Sequence, residues 1–230
     1  MSTDRLRRNT GWAALVAGSV EILGLIFLIL FFALELPQGS ASNLRFGYLS
    51  DVTPIIVAPV NVIVMVMIFL LQRKHAPNMS PIAAILGIAG ILLTAWTNIR
   101  FVSEKISLEQ QIQLFYLSLA FLGPWHILVN SLAQHGGLLP SRLTMFGILV
   151  GIGQLVMYIG SLLLGRYDDM FSSSSPSIME NVPFLISLAI GIPLALTGYL
   201  GAPIWLVWLG QTLLRSDNRM PSLSNLDATN

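Results

Sequence analysis

Long apolar stretches alternate with short polar ones along the whole chain, and six of the apolar stretches are long. They fall at about 12–34, 52–71, 81–99, 112–133, 143–164 and 183–214. Roughly 20 residues of helix, rising about 1.5 Å each, cross the ~30 Å hydrocarbon core of a bilayer. The pattern therefore predicts an all-α polytopic protein: one transmembrane domain of six helices over 1–214. The connections read as turns and loops: 37–50 rich in turn formers, Arg73-Lys74-His75, a charged segment at 100–109, 134–142, and 166–181 with Asp168, Asp169 and a run of four serines. The sixth stretch exceeds a bilayer core, so Pro193 and Pro203 predict a kink, or its first turns lie in the interface. Polar residues at 1–10 precede the first span, and 215–230 reads as a disordered cytoplasmic tail.

The first apolar run follows Arg5, Arg7 and Arg8, as a signal peptide would. It is longer than the roughly 7–15 residues of a signal core and it carries Glu21, so it reads as a span. Composition strengthens the membrane assignment. The chain is 54% hydrophobic and only 10% charged, against roughly 25% charge in soluble domains. A net charge of +1 argues against a nucleic-acid partner. The absence of cysteine removes disulfides, thiolate metal sites and a cysteine nucleophile. His75, His126 and His135 stand at no recognisable ligand spacing, so no metal and no cofactor is expected.

Basic residues predict the orientation. One set of alternate loops and ends carries Arg5, Arg7, Arg8, Arg73, Lys74, Arg142, Arg215 and Arg219, eight in all. The other carries four: Arg45, Arg100, Lys105 and Arg166. Both termini are thus expected in the cytoplasm. Glu35, Asp51, Glu104, Glu109, Asp168, Asp169 and Glu180 fall on the outer side.

Helical periodicity sorts the polar residues inside the spans. Ala14, Gly18, Glu21 and Gly24 share one stripe of the first span. Small residues admit a neighbouring helix closely, which turns Glu21 towards the bundle. Pro54, Ala58 and Asn61 share a face of the second span, and Gly87, Gly90, Thr94 and Asn98 a face of the third. In the fourth, Ser118, His126, Asn130 and Gln134 repeat at multiples of four; in the fifth, Gln154, Tyr158 and Ser161 align. A charged side chain at mid-bilayer costs about 2.5–3.5 kcal/mol on insertion scales, so such groups face the interior and pair. Glu21, Asn61, His126, Asn130 and Gln154 form the candidate intramembrane polar site, with Asn61 and Gln154 as the expected neighbours of Glu21 and His126. Pro124 deprives the Ala120 carbonyl of its helical donor beside Trp125 and His126, a plausible place for a ligand or hydrated cavity. Gly147 and Gly151 are read as close packing within the bundle, and Trp205 and Trp208 as interface anchors.

The segment Leu122-Gly123-Pro124-Trp125-His126-Ile127-Leu128, followed by Gly137-Leu138-Leu139-Pro140 and Arg142, resembles a family of uncharacterised six-span bacterial membrane proteins, a domain of unknown function. The likeness continues through the glycine-rich 147–160 and the closing Pro203-Ile204-Trp205-Leu206-Val207-Trp208-Leu209-Gly210. It is carried mainly by residues 115–165, and it implies a fold and a location, a bacterial inner membrane, but no activity.

No nucleotide-binding, zinc-protease or nucleophile motif occurs, so an enzyme ranks last among the functions. A structural, accessory or regulatory bundle, in contact with lipid and with other membrane proteins or further copies of itself, ranks first. A small transporter or ligand-binding protein using Glu21 and His126 is the alternative.

Overall fold

The computed structural model describes residues 3–35, 45–171 and 182–217, with side chains described outside 163–190 and 216–217. Six helices account for almost all of them, and no strand occurs among the described residues. These are α1 (Thr3–Leu30), closing in a π-helical turn over Phe31–Glu35, α2 (Arg45–Gln72), α3 (Met79–Val102), α4 (Leu108–His135), α5 (Ser141–Phe171) and α6 (Val182–Asp217). All six are long and apolar enough to cross a membrane, and the protein is a multi-pass membrane protein.

Most helices overrun their apolar stretches. Residues 3–10, expected as a polar lead, form the first turns of α1, and 45–50, expected as loop, begin α2. Likewise 166–171 extend α5, and 215–217 extend α6. A helix of 28 residues is about 42 Å long, against a hydrocarbon core of ~30 Å. Polar turns therefore continue into the headgroup region, where hydropathy no longer reports them. The sixth stretch is one uninterrupted helix containing Pro193 and Pro203. The expected loop residues 37–44 and 172–181 and the tail beyond 217 lie outside the described residues.

Helix ends follow local chemistry. Ser107 accepts from the Gln110 backbone N–H, while the Gln110 side chain accepts from the Ser107 N–H, a reciprocal cap that starts α4. At its other end Leu138 N–H reaches the Ala133 carbonyl and Gly137 N–H the Gln134 carbonyl. This Schellman turn needs a left-handed residue, and Gly137 supplies it at φ 61°. The same bond pattern closes α3, where Glu104 takes φ 55° despite its Cβ. The Glu35 carboxylate accepts from the backbone N–H groups of Phe46 and Gly47, so the end of α1 caps the N-terminus of α2.

The helices form a closed ring. Each packs on its neighbours in sequence, and α1 closes on α6. Glycines set the closest seams. A Cβ on Gly18 would meet the Pro203 carbonyl and Val207 of α6, and one on Gly24 would meet Thr53 of α2. Gly147 backs onto the Asn130 side chain and Gly151 onto the Gly123 carbonyl, both on α4. Gly153 and Gly198 bring α5 and α6 together backbone to backbone. The Gly147–Gly151 pair thus packs inside this chain. Trp205, Trp125, Leu206, Leu209, Val64 and Met65 fill the interior. The outward faces carry Ile56, Ile63, Ile85, Leu92, Leu149 and others in the open, as a lipid-facing surface requires.

Candidate functional site

α4 turns one polar face inward. Ser118, His126 and Asn130 are buried on it, while Gln134, predicted on the same stripe, is exposed beyond the packed part of the helix. His126 Nδ1 lies 3.1 Å from the Leu122 carbonyl and 3.0 Å from Gln154 Oε1 of α5. Both neighbours are oxygens, so Nδ1 is the nitrogen assigned the proton. Asn130 donates through Nδ2 to the His126 carbonyl at 2.8 Å. Its Oδ1 accepts from Trp205 Nε1 across the ring at 3.1 Å.

Trp205 therefore differs from its expected role. It is 1% exposed and lies in the middle of the ring, whereas Trp208 is 38% exposed on the outer side. Its indole is edge-on to both His126, at 5.2 Å between centroids, and Trp125, at 5.8 Å. Trp125 and His126 are themselves 4.4 Å apart. Three rings from two non-adjacent helices thus close the interior, in the edge-to-face geometry their quadrupoles favour. The indole N–H can be buried there because Asn130 accepts from it. α4 runs unbroken through Pro124, and the cavity described below lies against other residues.

The second polar pair is on the other side of the ring. Asn61 Nδ2 donates to Glu21 Oε1 at 2.7 Å, joining α2 to α1. Asn61 is buried and Glu21 half-buried. The structure thus brings Glu21 to Asn61 and His126 to Gln154, with Asn130 tied to His126 and Trp205. Glu21 and His126 make these bonds in separate seams of the ring.

Three polar groups lie where hydropathy gave no cue. α2 begins at Arg45, which places Asp51 nearly two turns inside a helix that sequence patterning began only at about 52. Gln111 Nε2 donates to Asp51 Oδ1 at 3.0 Å and to Asn98 Oδ1 at 3.2 Å, linking α4, α2 and α3. Gln111, Phe115, Ser118 and Leu122 share one helical stripe, and that phase could have placed Gln111 inward. Gln72, just past the second apolar stretch, is 3% exposed and donates to the Val129 carbonyl at 2.7 Å.

A small cavity of about 30 Å³ lies at the end of the ring where α1 begins and α6 finishes. Gln72, Arg7 and Trp205 line it with Leu138, Leu139 and aliphatic side chains of α2, α4 and α6. Neither Glu21 nor His126 borders it. Among the described residues, no group of three or more His, Asp and Glu could hold a metal ion. No protein-family model matches the chain, and neither the curated proteins nor the solved structures contain a match.

Proposed function

We propose that this protein is a structural or accessory bundle of a bacterial inner membrane, its termini cytoplasmic and its outer faces available to lipid, to membrane-protein partners or to further copies of itself. The basic asymmetry of eight against four supports the orientation. The resemblance over residues 115–165 supports placing it with the six-span family. One observation carries the functional reading: the polar side chains of the candidate site are spent on each other. Glu21 is held by Asn61, His126 by Gln154, and Asn130 by Trp205. Interhelical bonds of this kind average only ~0.6 kcal/mol. Their value here is register, since each accepts one alignment of two helices. A transporter using Glu21 and His126 needs both groups on one water-filled path.

The natural absence of cysteine makes the test clean. Ala17→Cys and Ala58→Cys place a thiol beside the Glu21–Asn61 pair, and Val150→Cys places one a turn from Gln154. All three positions are buried. In intact membranes these thiols should resist a membrane-impermeant thiol reagent from either side, while Gln134→Cys reacts. Labelling of Ala17→Cys or Val150→Cys at a rate near that of Gln134→Cys would replace this reading with the transport one.

A further inference from the structure

Glu21 has a second oxygen that Asn61 does not take. Among the described residues Glu21 Oε2 makes no hydrogen bond and no ion pair, and the side chain is half-buried rather than sealed. Asp51 is placed alike: Gln111 takes its Oδ1, and among the described residues no cation answers its charge. Arg100, the basic residue at that end of α3, lies over the Trp96 ring at 5.8 Å. The nearby carboxylate of Glu35 is engaged by the start of α2, and α3 and α4 offer Asp51 only the amides of Asn98 and Gln111. Carboxyls inside membrane helices without a cation are the groups that form proton relays.

Tyr199 of α6 stands between the two. Gly18 lies against Pro203, and α1 and α6 run in opposite directions, so one turn further on Glu21 comes opposite Tyr199. The Tyr199 ring crosses the interior to Phe115 of α4, edge-on at 6.0 Å between centroids. Phe115 is one turn from Gln111, which holds Asp51. The phenol is therefore in electrostatic reach of both carboxyls, and among the described residues its hydroxyl makes no hydrogen bond. Packing leaves one way in. The buried residues of α1 are Thr10, Gly11, Ala14, Ala17 and Gly18, all on the Arg73 side of Glu21, where Val64, Trp205 and Leu209 also close the interior. From residue 19 to Glu35 no residue of α1 is buried. We propose that Glu21 binds a proton reversibly and exchanges it, through Tyr199 and Asp51, with the end of the ring that carries Lys105. Asp51 passes its proton to the Tyr199 oxygen while the Tyr199 proton goes to the free Glu21 oxygen, each gap spanned by a water, and solvent at that end reprotonates Asp51. A path of this width passes water and protons but not a thiol reagent, so the inference goes beyond the bundle reading and has a separate test.

Infrared spectroscopy of the full chain in lipid bilayers supplies it. The Glu21 carboxylic C=O band is the one that Glu21→Gln removes and Glu21→Asp displaces. It should fade as pH is raised and return on acidification, and in D2O it should shift promptly in the parent protein. Tyr199→Phe and Asp51→Asn should each slow that shift about tenfold or more, since each removes a transfer group. The phenylalanine keeps a ring on Phe115 and the asparagine keeps an acceptor for Gln111, so both should melt with the parent. Gln72→Met, at the opposite end, should leave the rate unchanged. The absence of any titrating band sensitive to Glu21→Gln overturns proton binding. A shift as fast in Tyr199→Phe and Asp51→Asn as in the parent overturns the route, and so does equal slowing by Gln72→Met, which marks a change in the whole bundle.

Discussion

Trp205 and Trp208 stand three residues apart on α6 and have opposite surroundings. The first is enclosed by Trp125, His126 and Asn130; the second is partly open on the outer face. Trp205→Phe keeps a ring for the stack but removes the donor to Asn130 Oδ1, on a residue with no exposed surface. Leaving a buried acceptor unpaired costs about 1–3 kcal/mol. Thermal unfolding in detergent should show that loss for Trp205→Phe and almost none for Trp208→Phe. Matching shifts would mean the indole N–H contributes nothing. Sequence patterning placed both residues at an interface because two tryptophans near the end of an apolar stretch fit a belt. It could not see that Asn130, 75 positions earlier, supplies the acceptor that lets one of them be buried. The polar residues Glu21, Asn61, His126 and Gln154 were legible as inward-facing for a simpler reason. Each shares a helical stripe with small or polar residues, and a membrane leaves such groups few other places. Gln111 and Gln72 were not read as inward-facing, and Asp51 only as an outer-side acid, because hydropathy starts or stops a span beside each of them.

Helices are held in their seams by glycines. Gly18 lies against the Pro203 carbonyl and Val207, at 2.8 Å from where a Cβ would be. Gly160 has nothing within 4 Å of that position. Gly18→Leu must therefore push α1 off α6, whereas Gly160→Leu extends into open space. Overpacking of this kind costs about 1–3 kcal/mol, and more where backbone must move. The melting temperature of Gly18→Leu should fall clearly, with that of Gly160→Leu near the parent's; Ala33→Leu, on an exposed position, should behave like Gly160→Leu. Similar losses from all three would mean that α1 is not seated on α6. At this scale the sequence predicted the existence and order of the helices well and their ends poorly. Hydropathy registers only the part of a helix in hydrocarbon, and the added turns of α1, α2 and α5 bring in charged residues such as Arg5, Arg7, Arg8, Arg45 and Arg166.

For the whole molecule, the ring sets the geometry of both ends. Gly11 packs against Gly210 and Leu214, so the start of α1 lies beside the end of α6. With six spans this places both termini on one side, along with the turns after α2 and α4. That side holds Arg73, Lys74 and Arg142, and the opposite side holds Lys105. A reporter fused after Arg73 should read cytoplasmic, and one fused after Lys105 should read external. The reverse result would invert the protein without changing its fold.

Composition and periodicity by themselves determined that this chain is a membrane protein, that it has six helices, and which faces of five of them turn inward. Those properties follow from the cost of exposing polar groups to hydrocarbon, and that cost is local to each segment. Tertiary structure decided the rest: that α1 closes on α6, that Glu21 and His126 are satisfied in different seams, that Trp205 is enclosed by α4, and that Gln72 is buried against Val129. Each of these depends on which distant residue arrives opposite, and on the close approach that glycines permit. No pattern along a single helix carries that information.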